Sequence, residues 1–303
     1  MQQARIRSRL ARREALEGYL YLLPWALGFL VFVAGPMIAS LGLSLTNYDL
    51  IRAPVFNGID NYVRAFTADN LFWPSLGRTF YYAIAIVPLI ILASLLLAIF
   101  LNNPLRGRVT LRTIAFVPHL VPIVAGTLVW VWIFHPRGLL NYLLSLVGIA
   151  GPGWLSSIEW AIPALVLMGV WRAAGGNTMI IFLAALQGVP AELYEAAQID
   201  GADSWQRFWR VTLPMISPAL FFNLTLGIIG ALKVFAPAYV ATEGGPAYAT
   251  WFYALHIYQN AFRFLQMGYA SALAWLFLVI VLMLTWIQFR TSARWVHYEG
   301  DTR

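Results

Sequence analysis

Residues 187–214 read QGVPAELYEAAQIDGADSWQRFWRVTLP and separate two long apolar segments. The stretch is dense in residues that begin and end helices. Pro190 suits a first helical position, and Glu192 and Glu195 complement the positive end of a helix dipole. Gly201 suits the left-handed conformation that often follows a helix end. The pattern predicts two short helices joined by a tight bend.

The second of these helices is expected to begin at Asp203 or Ser204, because either side chain can cap it. The first has about eleven residues and a length of ~16 Å. It is too short and too charged to cross a bilayer, so we expect it at a membrane surface. Its spacing alone fits two interpretations equally: an amphipathic helix that rests on lipid headgroups, or a docking element.

The composition of the whole chain predicts an all-α integral membrane protein. Of its 303 residues, 60% are hydrophobic and 11% are charged, whereas soluble domains have roughly 45–50% and about 25%. The net charge of +7 does not indicate a nucleic-acid partner, because the charges lie in short groups between long uncharged runs. The chain has no cysteine, which excludes disulfides and thiolate metal sites.

Six segments are long enough to be transmembrane helices in a lipid bilayer. A helix needs about 20 mostly apolar residues to cross ~30 Å of hydrocarbon. Four uncharged segments meet this length, and two more do so with one internal cation each, Arg172 or Lys233. The six predicted spans are residues 18–48, 79–105, 113–136, 160–186, 211–240 and 264–289. Residues 139–147 are expected to form a shorter interfacial helix.

The arginines predict the orientation of these spans. Six spans place both ends of the chain on one side, and the side richer in Lys and Arg faces the cytoplasm. Thirteen arginines lie in the terminal segments and in the loops on their side, and five lie on the other side. We therefore expect residues 1–18 to be a basic cytoplasmic segment, residues 19–290 to be the membrane domain, and residues 291–303 to be a cytoplasmic tail.

The loop between the fourth and fifth spans also carries a family pattern. Its Glu-Ala-Ala run at residues 195–197, followed by Gly201 and then by Leu213 and Pro214, resembles the Glu-Ala-Ala loop of membrane subunits in bacterial binding-protein-dependent ABC importers. Three flanking stretches resemble the sugar-importer branch of that family. They are residues 105–108, 182–187 and 242–246. The resemblance covers about residues 19–290 and implies the type I ABC importer permease architecture, with a cytoplasmic coupling helix, in a bacterial cytoplasmic membrane.

In that family the loop sits in a cleft of the ATP-hydrolysing subunit and transmits its movement. The resemblance implies coupling through Glu192, Glu195, Ala196, Ala197, Gly201, Leu213 and Pro214. It also implies a second permease subunit, commonly a different chain, together with two ATP-binding subunits and an extracytoplasmic solute-binding protein. ATP and Mg would be bound by the ATPase partners, and this chain would bind no cofactor.

The chain lacks the residues for an ATP site of its own. A phosphate-binding loop needs a lysine after a glycine, and the only lysine, Lys233, follows Leu232. The four histidines lack metal-ligand spacing, so we predict no metal site and expect each to be an interfacial or loop residue. They are His119, His135, His256 and His297.

The alternative hypothesis is a self-sufficient secondary carrier or a membrane-embedded enzyme. A carrier is expected to place chains of acidic residues or histidines within its spans for ion coupling. None of the thirteen carboxylates lies in a predicted span. No nucleophile elbow or carboxylate dyad supports an enzyme. We therefore favour a transport subunit that has no catalytic residues.

The two cations within spans are candidates for the substrate path, because such a group costs about 2.5–3.5 kcal/mol at the bilayer centre even on insertion scales. On straight helices, Arg172 would lie ~21 Å and Lys233 ~29 Å from the inner ends of their spans. Trp171 beside Arg172 suits a sugar ring, and Asn177 follows within two turns. Gly230 is included with Lys233 because the matching segment borders the sugar site in related permeases. Snorkelling to the interface explains either cation as well.

The predicted function is therefore the import of a mono- or oligosaccharide or a related polar solute. Anions of the glycerol-phosphate type stay open as substrates, because the two charged side chains within the spans are both positive. Tyr239 and Asn260 are expected to lie in loops that meet the binding protein. Trp130 and Trp132 are each interpreted either as packing residues or as sugar platforms.

Overall fold

A computed structural model of the protein describes residues 2–292 and 295–296, with the backbone alone for residues 2–9. Most of the expected cytoplasmic tail, residues 291–303, therefore lies outside the described residues, and so does His297. The same holds for the side chains at the start of the expected basic segment. The described chain is predominantly helical.

The helices follow one another along the chain with mostly short connections. In the first half they are α1 (Gln2–Phe29), α2 (Gly35–Ser44), α3 (Asp60–Thr67), α4 (Phe72–Asn102), α5 (Arg108–Leu120), α6 (Ile123–Ile133), α7 (Leu139–Leu146) and α8 (Ile158–Ala173). In the second half they are α9 (Asn177–Gln187), α10 (Ala191–Ile199), α11 (Ser204–Arg207), α12 (Leu213–Met215), α13 (Ser217–Leu232), α14 (Ala236–Thr242), α15 (Tyr253–Tyr258) and α16 (Met267–Ser292). The short helix expected at residues 139–147 is confirmed as α7.

Smaller elements complete this helical chain. Three short segments are π-helical: Leu30–Ala34, Phe208–Thr212 and Gln259–Arg263. Between α2 and α3, β1 (Thr46–Asn47) and β2 (Val55–Phe56) pair antiparallel, with Thr46 opposite Phe56.

By length and composition, three unbroken helices can cross a membrane, and three bent pairs can each form one further span. The unbroken helices are Leu10–Ser44, α4 and α16. The bent pairs are α5 with α6 at 93°, α8 with α9 at 49°, and Ser204–Met215 with α13 at 67°. All six coincide with segments predicted from the sequence. Three of these six segments are bent rather than straight.

Proline and glycine residues account for these bends. Pro122 follows Val121, whose ψ of 127° is extended rather than helical, as expected for a residue before proline. Gly175 and Gly176 lie between α8 and α9. Pro218, in the first turn of α13, cannot donate a backbone hydrogen bond, which weakens the junction with the preceding helix.

The chain divides into two compact units. The first comprises residues 1–68 and 259–276, and the second comprises residues 69–258 and 277–303. In the second unit, α4 is the central helix and packs against α8, α9, α13 and α15. This helix has 31 residues, and Arg78 is its one charged side chain. A helix that is apolar on most sides can be surrounded by other helices.

Buried side chains on α4 belong to two hydrophobic clusters. Tyr82 and Ile86 pack with Leu165 of α8 in one cluster, and Ala98 packs with Phe182 of α9 in the other. Both small and large side chains take part, which allows the helices to approach closely and fill the space between them. The second unit therefore has its core along the whole length of α4.

Within the first unit, Asn61 fixes the hairpin to the helix that precedes it. Its side-chain amide donates hydrogen bonds to the carbonyl oxygens of Ser44, at 2.8 Å, and of Thr46, at 2.9 Å. Arg64 donates to Gln266 at 2.8 Å. These bonds satisfy backbone and side-chain groups where the helical pattern is interrupted.

A buried polar chain in the second unit contains Trp251, His256 and Asp69. The indole N–H of Trp251 donates to Nδ1 of His256 at 3.1 Å, and Nε2 of His256 lies 2.8 Å from a carboxylate oxygen of Asp69. Because an indole N–H only donates, Nδ1 accepts, and Nε2 donates its hydrogen to the carboxylate. His256 is 3% exposed, so the expectation of an interfacial or loop residue is wrong for this histidine.

The bend between α8 and α9 depends on the absence of a side chain at Gly175. A Cβ atom at this position would overlap the backbone carbonyl oxygen of Ala115 in α5. At Gly176, a Cβ atom would lie 2.5 Å from Nδ1 of His119. The two glycines therefore allow α5 to pass directly against the broken helix.

Replacing Gly175 by alanine is expected to lower the free energy of unfolding by about 1–3 kcal/mol, because the new methyl group must displace backbone atoms. Gly77→Ala in α4 is the control: its Cβ would have no atom within 4 Å, so it should raise stability by about 0.5–1 kcal/mol. Thermal unfolding of both variants in one detergent makes the comparison. Equal melting temperatures would contradict the close approach of α5.

Candidate functional site

A cavity of about 620 Å³ lies among the helices of the second unit. Its walls come from α4, α5, α6, α8, α9 and α13 and from the segment that joins α13 to α14. The volume lies within the roughly 300–1,000 Å³ that is usual for small-ligand sites. Two of the three helix breaks, at Val121 and between α8 and α9, lie at this cavity.

All five residues predicted for the substrate path line this one cavity. Trp171 and Arg172 lie in the last turn of α8, and Asn177 begins α9 on the other side of the break. Gly230 lies in the last turn of α13, and Lys233 is the residue that ends this helix. The cavity thus gathers the ends of two helices that are distant in sequence. A contact of these residues with the solute stays a prediction.

The heights predicted for the two cations assume straight helices, and both helices belong to bent pairs. The chain bends by 49° between α8 and α9, and by 67° before α13. Residues beyond such a bend no longer rise by ~1.5 Å each along one axis. Arg172 and Lys233 instead reach the same cavity from different helices.

One wall of the cavity is aromatic. Trp171 packs edge-to-face on Trp130, with ring centroids 5.6 Å apart and an interplanar angle of 74°. Trp130 also packs on Phe134, at 4.9 Å. Trp132, two residues further along α6, is 66% exposed and does not line the cavity. Of the two tryptophans left open by the sequence, Trp130 is the one that a bound solute can reach.

Three buried polar atoms at the cavity have no hydrogen-bond partner among the described residues. They are Nδ1 of His119, Nε of Arg172 and Nδ2 of Asn223. Each residue lines the cavity. Because native proteins pair nearly all of their buried polar groups, such atoms indicate a place for water or for a polar ligand.

The sequence analysis missed His119 and Asn223 as site residues. A polar side chain within an apolar span was the available signal for each of them. Spacing could not reveal that both face the same cavity, since α5 and α13 are separated by about a hundred residues in the chain. His119 lies in α5 and lines the cavity, so the expectation of an interfacial or loop residue is wrong for it as well.

Residues 187–214 form the helices and the bend that their sequence predicts. The first helix, α10, begins after Pro190 and ends at Ile199, so Pro190 precedes the helix instead of opening it. Gly201 has a φ of +76°, which is left-handed and favours glycine. Asp203 caps α11: its carboxylate accepts from the backbone N–H of Gln206 at 2.7 Å, and its own N–H donates to the Gln206 side chain at 3.1 Å.

Most of the predicted coupling residues are accessible. Glu192, Glu195, Ala196 and Gly201 are exposed, and Ala197, Leu213 and Pro214 are half-buried. The second helix runs over Ser204–Met215, because α11 continues through a π-helical segment into α12. Tyr194 of α10 shares a hydrogen bond with Thr212, which lies near the end of the second helix. Their hydroxyl oxygens are 3.0 Å apart. The loop is thus a braced unit, and its role in coupling stays a prediction.

Tyr239 and Asn260 do not lie in loops, so this expectation is wrong. Tyr239 belongs to α14 and stacks on Phe235, with ring centroids 5.4 Å apart. Asn260 lies in the π-helical segment Gln259–Arg263 and is 4% exposed. Asn260 is thus buried, whereas Tyr239 is 38% exposed, so a contact of Tyr239 with a binding protein stays a prediction.

Residues 72–297 match the family model described as "Binding-protein-dependent transport system inner membrane component". The chain belongs to this family. As an inner membrane component with several apolar helices, it is a multi-pass membrane protein. The matched region contains both the cavity and the loop at residues 187–214.

Similar proteins extend over nearly the whole chain. The "Probable ABC transporter permease protein YesP" of Bacillus subtilis (strain 168) is 44% identical over 97% of this chain and 96% of its own length. The lactose transport system permease protein LacF of Rhizobium radiobacter is 37% identical over 93% of this chain and 96% of its own. These relatives are transport subunits. They confirm the resemblance to sugar-importer permeases that was drawn from the Glu-Ala-Ala loop and its flanking stretches.

A solved structure has a similar fold. It is the crystal structure of a bacterial alginate ABC transporter in complex with an alginate pentasaccharide-bound periplasmic protein. The matching chain is 27% identical with a TM-score of 0.82, and the match covers 93% of this chain and 96% of that one. The type I permease architecture implied by the resemblance is thus found in a neighbour of this fold.

Asn223→Leu is expected to lower the free energy of unfolding by less than about 1 kcal/mol, or to raise it. The amide nitrogen that this substitution removes is buried and has no hydrogen-bond partner among the described residues. Asn61→Leu is the matched control, since the two asparagines are 4% and 6% exposed. It should cost about 1–3 kcal/mol, because the carbonyl oxygens of Ser44 and Thr46 lose their donor. Melting temperatures in detergent test both, and an equal loss in the two variants would contradict the unpaired state of Asn223.

Proposed function

We propose that this chain is a permease subunit of an ATP-driven importer that moves a sugar, or a related polar solute, across the cytoplasmic membrane. The solute would arrive from an extracytoplasmic binding protein. The observation that carries the proposal is that every residue predicted for the substrate path lines the same cavity. Membership of the binding-protein-dependent family supports it independently.

The proposed topology has six spans, with each bent pair counted as one. Both ends of the chain would be cytoplasmic, because thirteen arginines lie on their side and five on the other. This orientation puts the loop at residues 187–214 in the cytoplasm. The abundance of arginine in the terminal segments supports the same assignment.

The loop is proposed as the docking site for an ATPase subunit. Glu192, Glu195 and Ala196 are exposed on α10, and the small side chain of Ala196 permits a close approach by another protein surface. Ile199 is 86% exposed and Trp205 is 69% exposed. Exposed apolar side chains beside acidic ones are typical of protein interfaces. The complex would contain two such ATP-binding subunits, which hold ATP and Mg, and a second permease of a different sequence.

The proposed coupling route follows the chain from the loop to the cavity. The hydrogen bond between Tyr194 and Thr212 ties α10 to the end of the second helix. After the bend at Ile216 the chain continues as α13, which carries Asn223 and Gly230 at the cavity. A displacement of the loop would thus be passed to a wall of the cavity. The ATPase would favour one of two cavity conformations by binding it more tightly.

The cavity suits a saccharide for two reasons. Trp130 and Trp171 offer apolar ring surfaces of the kind that pack on a sugar ring, and His119, Arg172 and Asn223 offer unpaired polar atoms for hydroxyl groups. LacF is named for lactose, which is neutral, and the solved neighbour is named for alginate, described as an acidic polysaccharide. The relatives therefore support saccharide transport without indicating the charge of the solute.

Gly201→Val is expected to reduce the ATPase activity stimulated by the loaded binding protein at least tenfold in the assembled complex. A β-branched residue is strained at a left-handed position, so the bend between α10 and α11 would change. Gly148→Val is the matched control: its φ is +75°, and like Gly201 it has no atom within 4 Å of an added Cβ. The control should lose similar stability but keep stimulation. Full stimulation in Gly201→Val would disprove the coupling role.

Trp171→Leu is expected to lower kcat/KM for uptake by about two- to thirteenfold, the range that corresponds to an aromatic contact of about 0.5–1.5 kcal/mol. Trp171→Phe keeps a ring at the same position and should stay within about twofold of the original chain. Uptake into liposomes that contain the whole importer is the measurement. Equal kinetics for the leucine and phenylalanine variants would remove Trp171 from the sugar contact.

A further inference from the structure

The charge of the cavity is one-sided. Two cationic side chains, Arg172 and Lys233, line it beside the imidazole of His119. Of the described residues that line it, none is Asp or Glu. In the part of the chain that the structure describes, neither Arg172 nor Lys233 has a carboxylate oxygen within 4.0 Å. The cavity therefore presents positive charge, with no acidic side chain among the described residues that line it.

Helix ends explain how the fold tolerates these charges. Arg172 lies in the last turn of α8, and Lys233 is the residue that ends α13. The carbonyl groups at the end of a helix carry partial negative charge and favour a cation there. This arrangement stabilises the cations without a carboxylate partner, so their charge remains available to a solute.

The guanidinium of Arg172 is incompletely bonded. Its Nε is buried and has no partner among the described residues. Nε and one terminal nitrogen together form a planar fork that matches the two oxygens of a carboxylate. A hydroxyl group has a single oxygen, which does not match the two parallel N–H groups of the fork and carries no charge to offset the guanidinium. The unpaired fork therefore favours a carboxylate over a neutral sugar hydroxyl.

We infer that the solute is an acidic saccharide, an oligosaccharide with a uronic acid unit, whose carboxylate is bound by Arg172 with Lys233 nearby. The sugar ring bearing the carboxylate packs on Trp171, which adjoins Arg172 in the chain and forms the aromatic wall with Trp130. Asn223 and His119 bind its hydroxyl groups through their unpaired nitrogen atoms. This inference rests on the proposed function and adds the charge of the substrate.

The test uses the complete importer, reconstituted in liposomes with ATP and its binding protein. Two partial hydrolysates are offered together, one of a polyuronate and one of a neutral polysaccharide, each with chains of two to five sugars. Mass spectrometry then identifies the saccharides inside the liposomes. We expect uronate oligosaccharides to enter with a kcat/KM at least tenfold above that of neutral ones.

Substitutions at Arg172 separate the charge from the fold. Arg172→Gln should lower kcat/KM for uronate oligosaccharides at least thirtyfold, a loss at least tenfold greater than the loss for neutral ones. Arg172→Lys retains the charge without the fork and should give an intermediate loss. Arg137→Gln removes an exposed cation that does not line the cavity, so it should change neither rate. Co-purification of the ATPase with each variant shows that the complex is assembled.

The outcomes distinguish the two proposals. Uptake of neutral oligosaccharides at the same rate as uronates, or a loss in Arg172→Gln that is equal for both, overturns the acidic-saccharide assignment and leaves the permease function intact. ATP-dependent uptake of neither class by an assembled complex overturns the proposed sugar import itself. Selective loss of uronate uptake in Arg172→Gln, with normal uptake in Arg137→Gln, supports both.

Discussion

Backbone hydrogen bonding in a bilayer is the constraint on which this structure depends. A span that crosses hydrocarbon must satisfy its own N–H and C=O groups, so a helix can be interrupted only where protein or a polar cavity faces the break. In the second unit, the breaks at Val121 and at Gly175–Gly176 meet the same cavity. The unbroken α4 provides the core beside it. The polar chemistry of the chain is thus concentrated where its helices end.

The glycines at the second break link packing to the site. With no Cβ at Gly175, the backbone of α5 passes directly against the bend, and this brings His119 to the cavity. The same bend turns the end of α8, with Arg172, toward the start of α9. Packing geometry and site chemistry therefore depend on the same few residues, as is common where interrupted helices bind ligands in transporters.

The loop at residues 187–214 and the cavity are joined by one continuous stretch of chain. Helices α10 to α12 end at a bend, and α13 leads from this bend to the cavity. The loop is kept stiff by the cap at Asp203 and by the hydrogen bond between Tyr194 and Thr212. A stiff loop can pass on a displacement, whereas a flexible one would absorb it. Physical continuity of this kind is what the proposed coupling between the loop and the cavity requires.

Sequence alone determined the membrane class, the segments long enough to span, the bend at Gly201 and a helix cap at Asp203 or Ser204, because each depends on composition or on residues within one or two helical turns. It also singled out Arg172 and Lys233, since a cation in an apolar run is conspicuous. Only the tertiary structure decided that helices distant in the chain share one cavity, that its charge is one-sided, and that His119 faces it. The bends explain the difference: they redirect side chains through packing between distant segments, which local sequence does not encode.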